Sequence, residues 1–389
     1  MATPAATRTD QATTHRPTLF LAFELGVTTW KLGFTTGMAE RPRERTMTAR
    51  DVHSLDAEMT RAKRRFGLPD DARVISCYEA GRDGFWLHRW LVAQGVENVV
   101  VDSSSIEVNR RHRRAKTDRL DVHKLLTMRL RHVAGEQRVW RIVRVPSLEA
   151  EDRRQLHRAL ATTKRDRTRV INRLKGLLAS QGLVTSPRGD FRQQLESLRL
   201  WDGCPLPAGL RRRLGQEWEH VQALTQRIAQ LEADRRAVMQ TAEEAAMQQV
   251  RQLLTLKGMG TNSAWGFVME FFGWRAFRNG KEVGALSGLP PTPYASGNTA
   301  YERGIAKAGN DHIRAMAIEM AWGWRRFQPA SALTRWYQQR FGHGSSRLRR
   351  IGIVALARKL LIALWRFVET GALPDGTALK AAVRCEQPR

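Results

Sequence analysis

Between residues 18 and 132 the chain alternates short apolar runs of strand length with longer runs of helical spacing. Residues 18–24 (TLFLAFE) and 28–36 (TTWKLGFTT) read as two strands, and Leu25-Gly26-Val27 makes the short turn of a hairpin between them. Residues 43–49 form a third, more polar strand. Residues 51–66 are helical, with Asp51 as the N-cap. A strand at 74–78, a helix at 85–94 and a strand at 98–101 follow. The helix at 118–132 carries Leu120, Leu125, Leu126 and Leu130 on its apolar stripe. This order predicts an α/β domain over residues 18–140, built around a mixed sheet, after a loose polar tail at 1–17.

The rest of the chain has another character. Residues 148–183 are rich in Arg and Leu, keep helical periodicity and contain no Pro. Pro187, Gly189, Gly203, Pro205 and Pro207 interrupt it, and residues 216–254 read as one long helix. Two long helices around a loop predict an antiparallel helical arm or coiled coil over 146–254. Residues 255–372 are expected to form a compact, mostly helical domain with helices at 311–327 and 347–367. Pro290, Pro291 and Pro293 fall there in a loop, and a tail occupies 373–389.

Lys plus Arg number 65 against 38 Asp plus Glu, a formal net charge of +27. Such an excess favours a polyanionic partner, because neutralised phosphates release condensed counterions. A membrane span is excluded: the apolar stretch 351–368 is broken by Arg358, Lys359 and Arg366. The N-terminus has no apolar core of a signal peptide. Cys77, Cys204 and Cys385 are too few and too far apart for a disulfide framework or a zinc site. The expectation is a reduced, cytoplasmic, nucleoid-associated protein.

Four acids stand where strands end or a helix begins. Glu24 closes the first strand, Glu79 follows VISCY, and Asp118 and Asp121 open a helix three residues apart, so both share roughly one helical face. A buried strand such as FLAFELG has little other use for a carboxylate. Converging carboxylates need a cation, and Mg²⁺ is the usual one for phosphate chemistry. Asp102, after the strand 98–101, is a rival ligand. Taken singly, each acid also reads as an ordinary surface group, and Asp118 as an N-cap.

The run Arg113-Arg114-Ala115-Lys116-Thr117-Asp118-Arg119-Leu120-Asp121 resembles the K-T-D-x-x-D signature of the DEDD transposases of the insertion-sequence one-ten family, relatives of the Piv DNA invertases. The resemblance implies a RuvC-like, ribonuclease-H-type domain whose acids match Glu24, Glu79, Asp118 and Asp121. The family's first acid is usually Asp; here Glu24 is one methylene longer, which leaves open an adjusted site or an impaired one. A second block, Gly288-Leu289-Pro290 through Ser296-Gly297 to Ile305-Ala306-Lys307-Ala308-Gly309-Asn310 and Arg314, is similar to the family's C-terminal "GLxP…SSG…I(S/T)KxGNxxLR" pattern, with Ala295 at the first serine. It implies that Ser296 is a nucleophile, with Lys307 and Arg314 holding phosphates. Read without the resemblance, Ser296-Gly297 is a turn.

Basic residues complete the picture. Arg110, Arg111, Arg113, Arg114 and Lys116 precede Asp118 directly, where phosphates would approach. Arg153, Arg154, Arg158, Lys164, Arg165, Arg167, Arg169, Arg173 and Lys175 add a stripe on the first long helix. Most of the twelve tryptophans are expected in the core, with Trp322 and Trp324 as candidates to stack on bases. The turn Leu256-Lys257-Gly258-Met259-Gly260 resembles the GxG of a helix-hairpin-helix, and equally an ordinary capping turn. No zinc finger or helix-turn-helix is evident. The resemblance implies instead a non-coding bridge RNA that pairs with donor and target DNA, and a homo-oligomer that brings the two DNAs together. Two other readings stay open: a RuvC-type structure-selective nuclease, and a decayed, non-enzymatic nucleic-acid binder.

Overall fold

The computed structural model describes residues 17–82, 84–106, 118–136, 138–275, 277–296 and 299–380; for residues 104, 118–120, 274, 294–296 and 299–303 it describes the backbone alone. The chain divides into two compact units, residues 1–145 and 146–389.

Strand β1 (Thr18–Leu25) is an almost unbroken apolar run, the pattern of a strand covered on both faces. It pairs antiparallel with β2 (Thr29–Thr35), which pairs antiparallel with β3 (Arg43–Thr48). After α1 (Val52–Arg65), β4 (Arg73–Glu79) returns parallel to β1; after α2 (Trp86–Ala93), β5 (Glu97–Val101) lies parallel to β4. The sheet order is β3-β2-β1-β4-β5. Asp51 caps α1, accepting from the backbone N–H of Ser54 at 3.0 Å.

Period-two alternation divides the sheet's side chains between two cores. Leu19, Leu21 and Phe23 join Leu55 and Met59 of α1 and Leu87 and Leu91 of α2. Phe20 and Ala22 join Ile75 and Cys77 of β4 and, on α3 (Asp118–Val133), Val122, Leu125 and Leu126. Gly33 of β2 makes the approach of α3 possible: a Cβ there would lie 2.4 Å from Cγ1 of Val122.

In the second unit, α4 (Leu148–Ala179) and α6 (Ala208–Thr241) pair side by side. Their ion pairs, Lys164–Glu232 at 2.6 Å and Arg173–Glu217 at 2.7 Å, run in opposite numerical directions, so the helices are antiparallel. At the far end, α5 (Phe191–Ser197) packs Phe191 and Leu195 on Leu174, Leu178 and Trp218. The other end is a helical lobe made by α7 (Ala245–Leu254), α8 (Thr261–Glu270), α9 (Gly280–Ser287), β6 (Pro291–Ser296), β7 (Thr299–Ile305), α10 (Asp311–Phe327), α11 (Ala332–Phe341) and α12 (Ser346–Thr370).

Four expectations are corrected. The helix expected at 216–254 begins at Ala208 and breaks at residues 242–244. The guanidinium of Arg251 turns back to the carbonyls of Met239 and Ala242, ending α6 so that Met247, Val250 and Leu253 of α7 can enter the lobe core. The interruption between the long helices contains α5, because Phe191 and Leu195 have an apolar face of α6 to cover. The expected proline loop is a β-hairpin, β6 with β7. Trp324 does not face solvent: it is buried and donates to Oγ of Ser331 at 3.1 Å, whereas Trp322 is half exposed. No helix among the described residues is long and apolar enough to cross a membrane.

Candidate active site at the sheet edge

Glu24 continues the row Phe20-Ala22, and Glu79 continues the row Ile75-Cys77, both on the sheet face that α3 covers. Parallel pairing runs from Thr18↔Arg73 to Phe23↔Tyr78, so the two acids stand one register step further, at the carboxyl ends of neighbouring strands. Both line one cleft of about 320 Å³, with the turn Leu25-Gly26-Val27 on one side and Tyr78, Ala80, Gly81, Arg82 and Gly84 on the other. The turn after β4 is pinned from three directions. Ala80 donates to the carbonyl of Val101 at 2.8 Å, Oγ of Ser103 donates to the carbonyl of Ala80 at 2.8 Å, and the Tyr78 hydroxyl donates to the carbonyl of Gly84 at 3.2 Å.

Helix α3 runs against the strands. Its later residue Arg129 feels the charges of Glu97 and Arg73, at the starts of β5 and β4. Its first turn therefore lies toward the strands' carboxyl ends. The Cys77 thiol donates to the carbonyl of Leu125 at 3.7 Å, which sets the level. Asp121 is one turn before Leu125 and Glu79 is two residues after Cys77, steps on the order of 6 Å each. Asp121 is thus at the height of Glu79, half-buried, though it does not line the cleft itself. Asp118 opens the same helix; its side chain lies outside those described, as do Arg110, Arg111, Arg113, Arg114 and Lys116 entirely. Asp102 is not among the cleft residues, so the rival ligand does not join Glu24 and Glu79 there.

Among the described residues no group of three or more His, Cys, Asp or Glu side chains is placed to hold a metal. The oxygen donors that are placed, Glu24 and Glu79, suit a hard divalent cation rather than a soft one. Cys77 offers no alternative nucleophile, since burial pushes its thiol up to about 12. Sequence reasoning missed Tyr78 and Arg82 as cleft residues. Their only signal was position, flanking Glu79 in a stretch ending in Gly81 and Gly84.

The second predicted block lies in the other unit. Ser296 ends β6 opposite Thr299; Gly297 and Asn298 lie outside the described residues. The base of this hairpin is fastened by backbone bonds: Lys307 to the carbonyl of Gly288 at 3.1 Å, Ala306 to that of Pro290 at 2.9 Å, and Asn310 to that of Leu286 at 2.9 Å. Gly288 and Gly309 sit at φ +66° and +96°, where a Cβ would lie 2.2 Å and 2.1 Å from facing carbonyl oxygens. Lys307 is exposed and adopts φ +56°. Nη1 of Arg314 donates to the carbonyls of Lys307 at 3.2 Å and Ser287 at 3.4 Å, so Arg314 clasps the two arms of the block.

The basic stripe on α4 is mostly spent inside its own unit. Arg154 and Arg158 pair with the buried Glu270 at 2.8 Å and 2.7 Å, Arg153 pairs with Glu244, and Lys164 and Arg173 pair with α6. Burial of Glu270 opposes its ionisation, and the guanidinia of Arg158 and Arg154 outweigh that, holding its carboxyl below the usual range.

Comparison with known proteins finds transposases. Residues 250–338 match the family described as Transposase IS116/IS110/IS902. A putative transposase of Sinorhizobium fredii, y4rJ, is 38% identical over 377 residues, 93% of this chain and 94% of the relative. A probable family 20 transposase of Pseudomonas aeruginosa is 30% identical over 58% of this chain and 65% of its own length. The transposase of insertion sequence element IS1328 of Yersinia enterocolitica is 25% identical over 56% of this chain and 63% of its own.

Proposed function

We propose that this chain, which belongs to the IS116/IS110/IS902 family of transposases, cuts and rejoins DNA with Mg²⁺ at its acidic sheet edge and with Ser296 as nucleophile. The observation that carries the reading is the pairing of Glu24 with Glu79 in one cleft, with Asp121 of α3 at the same height. The strand order β3-β2-β1-β4-β5 supports a RuvC-like, ribonuclease-H-type fold for this unit.

Glu24, Glu79, Asp118 and Asp121 would hold the cation, which would supply charge neutralisation at the oxygens of a phosphodiester. Glu24 reaches one methylene further than Asp, and it lines the cleft beside the Gly26 turn at the end of β1. Oγ of Ser296 gives up its proton and bonds to phosphorus as the bond from phosphorus to a deoxyribose oxygen breaks, and that oxygen takes up a proton and leaves as a hydroxyl. The phosphoserine bond then conserves the energy of the broken link until a hydroxyl of the second strand displaces the serine. Lys307 supplies charge to a phosphate from its exposed position, and Arg314 positions the block that carries Ser296. The net charge of +27 supports DNA as substrate and also a guide RNA of the bridge type, which would read donor and target by base pairing. A homo-oligomer brings the two DNAs together.

The test is a strand-exchange assay with trapping of covalent protein–DNA adducts. Wild type is expected to give an Mg²⁺-dependent adduct that Ser296→Ala loses, and Glu79→Gln or Asp121→Asn should lose cleavage. Recombination by Ser296→Ala at the wild-type rate overturns the serine mechanism, and adduct-free cleavage favours a RuvC-type nuclease. RNA sequencing of co-purified nucleic acid tests the guide: a discrete non-coding RNA supports it.

A further inference from the structure

We propose, on the reading of the acid cleft as the site of phosphodiester chemistry, that Arg82 receives the phosphate of the DNA strand there and is a further catalytic residue of strand cutting. Arg82 follows β4 and lines the cleft that holds Glu24 and Glu79. Those three residues carry the charge of its lining, and among the described lining residues Arg82 is the only cation. Lys31 stands opposite Glu24 across the β1–β2 pair but does not line the cleft.

Electrostatics set the need for such a group. Carboxylates that hold a divalent cation also repel the phosphodiester that must reach it, and Asp121, at the same height, adds to the repulsion. The cation is spent first on the acids, and the arriving phosphate brings a further negative charge. A guanidinium on the wall of the same cleft offsets that charge. It suits the task better than an ammonium: its planar fork pairs with two phosphate oxygens at once, and it stays charged at every working pH.

The loop fixes Arg82 at its root and leaves it open beyond. On one side of it, Ala80 is bonded to the carbonyl of Val101 on β5 and to Oγ of Ser103. On the other side, the carbonyl of Gly84 accepts from the Tyr78 hydroxyl at 3.2 Å, and the N–H of Gly84 donates to the carbonyl of Gly81 at 3.3 Å. Tyr78 is itself buried, edge-on to Phe23 with ring centroids 6.5 Å apart. Between these ties Arg82 is exposed. A Cβ on Gly81 would meet nothing nearer than the carbonyl of Glu79, at 3.8 Å. Packing therefore does not require glycine there, and the missing side chain leaves room beside Arg82 for a strand to approach.

The experiment uses the full chain, Mn²⁺ in place of Mg²⁺, and a thymidine dinucleotide as a bare phosphodiester. Electron paramagnetic resonance reads binding of Mn²⁺ alone, and paramagnetic broadening of the dinucleotide's phosphorus NMR line reads the approach of the phosphate. Wild type should bind Mn²⁺ and broaden the line. Arg82→Met should bind Mn²⁺ at least as tightly, having lost a repelling charge, yet broaden the line about tenfold less. Arg82→Lys should recover part of that loss, because it restores the charge without the fork. Tyr78→Phe, which unties the loop at Gly84, should fall between wild type and Arg82→Met. In the strand-exchange assay Arg82→Met should cut about 10²-fold more slowly. Equal broadening by wild type and Arg82→Met overturns the role of Arg82 and leaves the acid cleft as a metal site. Weaker Mn²⁺ binding by Arg82→Met also overturns it, since Arg82 would then support the acids rather than the phosphate. A wild-type chain that binds no Mn²⁺, or binds it unchanged in Glu79→Gln, overturns the metal reading of the cleft and the role of Arg82 with it.

Discussion

The acidic edge and the serine block reach their geometry by opposite means. At the edge, regular structure does the positioning: alternation puts Glu24 and Glu79 on one face of the sheet, and parallel pairing brings them to one height. In the block, irregular backbone does it. Two glycines at positive φ, Lys307 at φ +56° and the Arg314 clasp bring together segments that no repeat would align. A site made by a sheet tolerates changes in its side chains, because the strands persist without them. A site made by a clasp is sensitive to its backbone.

The largest effect should fall on chemistry without stability. Glu79→Gln is expected to lower Mg²⁺-dependent cleavage on the order of 10³-fold while leaving the melting of both units unchanged. A parallel loss of stability would mean that Glu79 is structural and would break the comparison. Next, Gly288→Ala should destabilise the second unit by about 2–4 kcal/mol, through left-handed backbone and the close approach to the carbonyl of Ala308. Calorimetry resolving the two units checks it, and an unchanged second transition would show the clasp to be pliable.

A pH series sharpens the contrast further. Burial lowers the pKa of His157, on α4, from its usual range to about 4. The folded unit keeps this imidazole neutral while the unfolded chain protonates it near pH 6.5. Stability is therefore full above pH 6.5 and falls as pH drops toward 4, by on the order of 2–3 kcal/mol. His157→Gln should flatten that slope in the second unit only. Smaller again, Gly33→Ala should cost the first unit about 1–2 kcal/mol by pushing on Val122 and Leu126 of α3. Because α3 carries Asp121, cleavage should fall more than stability suggests; equal falls would argue that α3 repacks without moving its first turn.

Much of the first unit was legible in the sequence because its signals are local. An apolar run such as TLFLAFE can be little but a doubly covered strand, Asp51 and Ser54 spell a cap three residues apart, and a carboxylate closing such a strand stands out wherever the strand goes. The second unit hides its decisive contacts at long range. Residues 216–254 keep helical spacing across the true break, because Arg251, not any local breaker, ends α6 by reaching back to its carbonyls. Arg154 and Arg158 looked like a solvent-facing stripe until Glu270, over a hundred residues later, took them up. The burial of Arg235 on α6, with its Nη1 donating to Oδ1 of Asn262, arises only when α6 is laid beside the first turn of α8. Periodicity and residue chemistry, which act between near neighbours, thus set the elements and the acids that terminate them. Pairing of charges and closure of cavities depend on which distant segments meet, and the tertiary structure alone decided those.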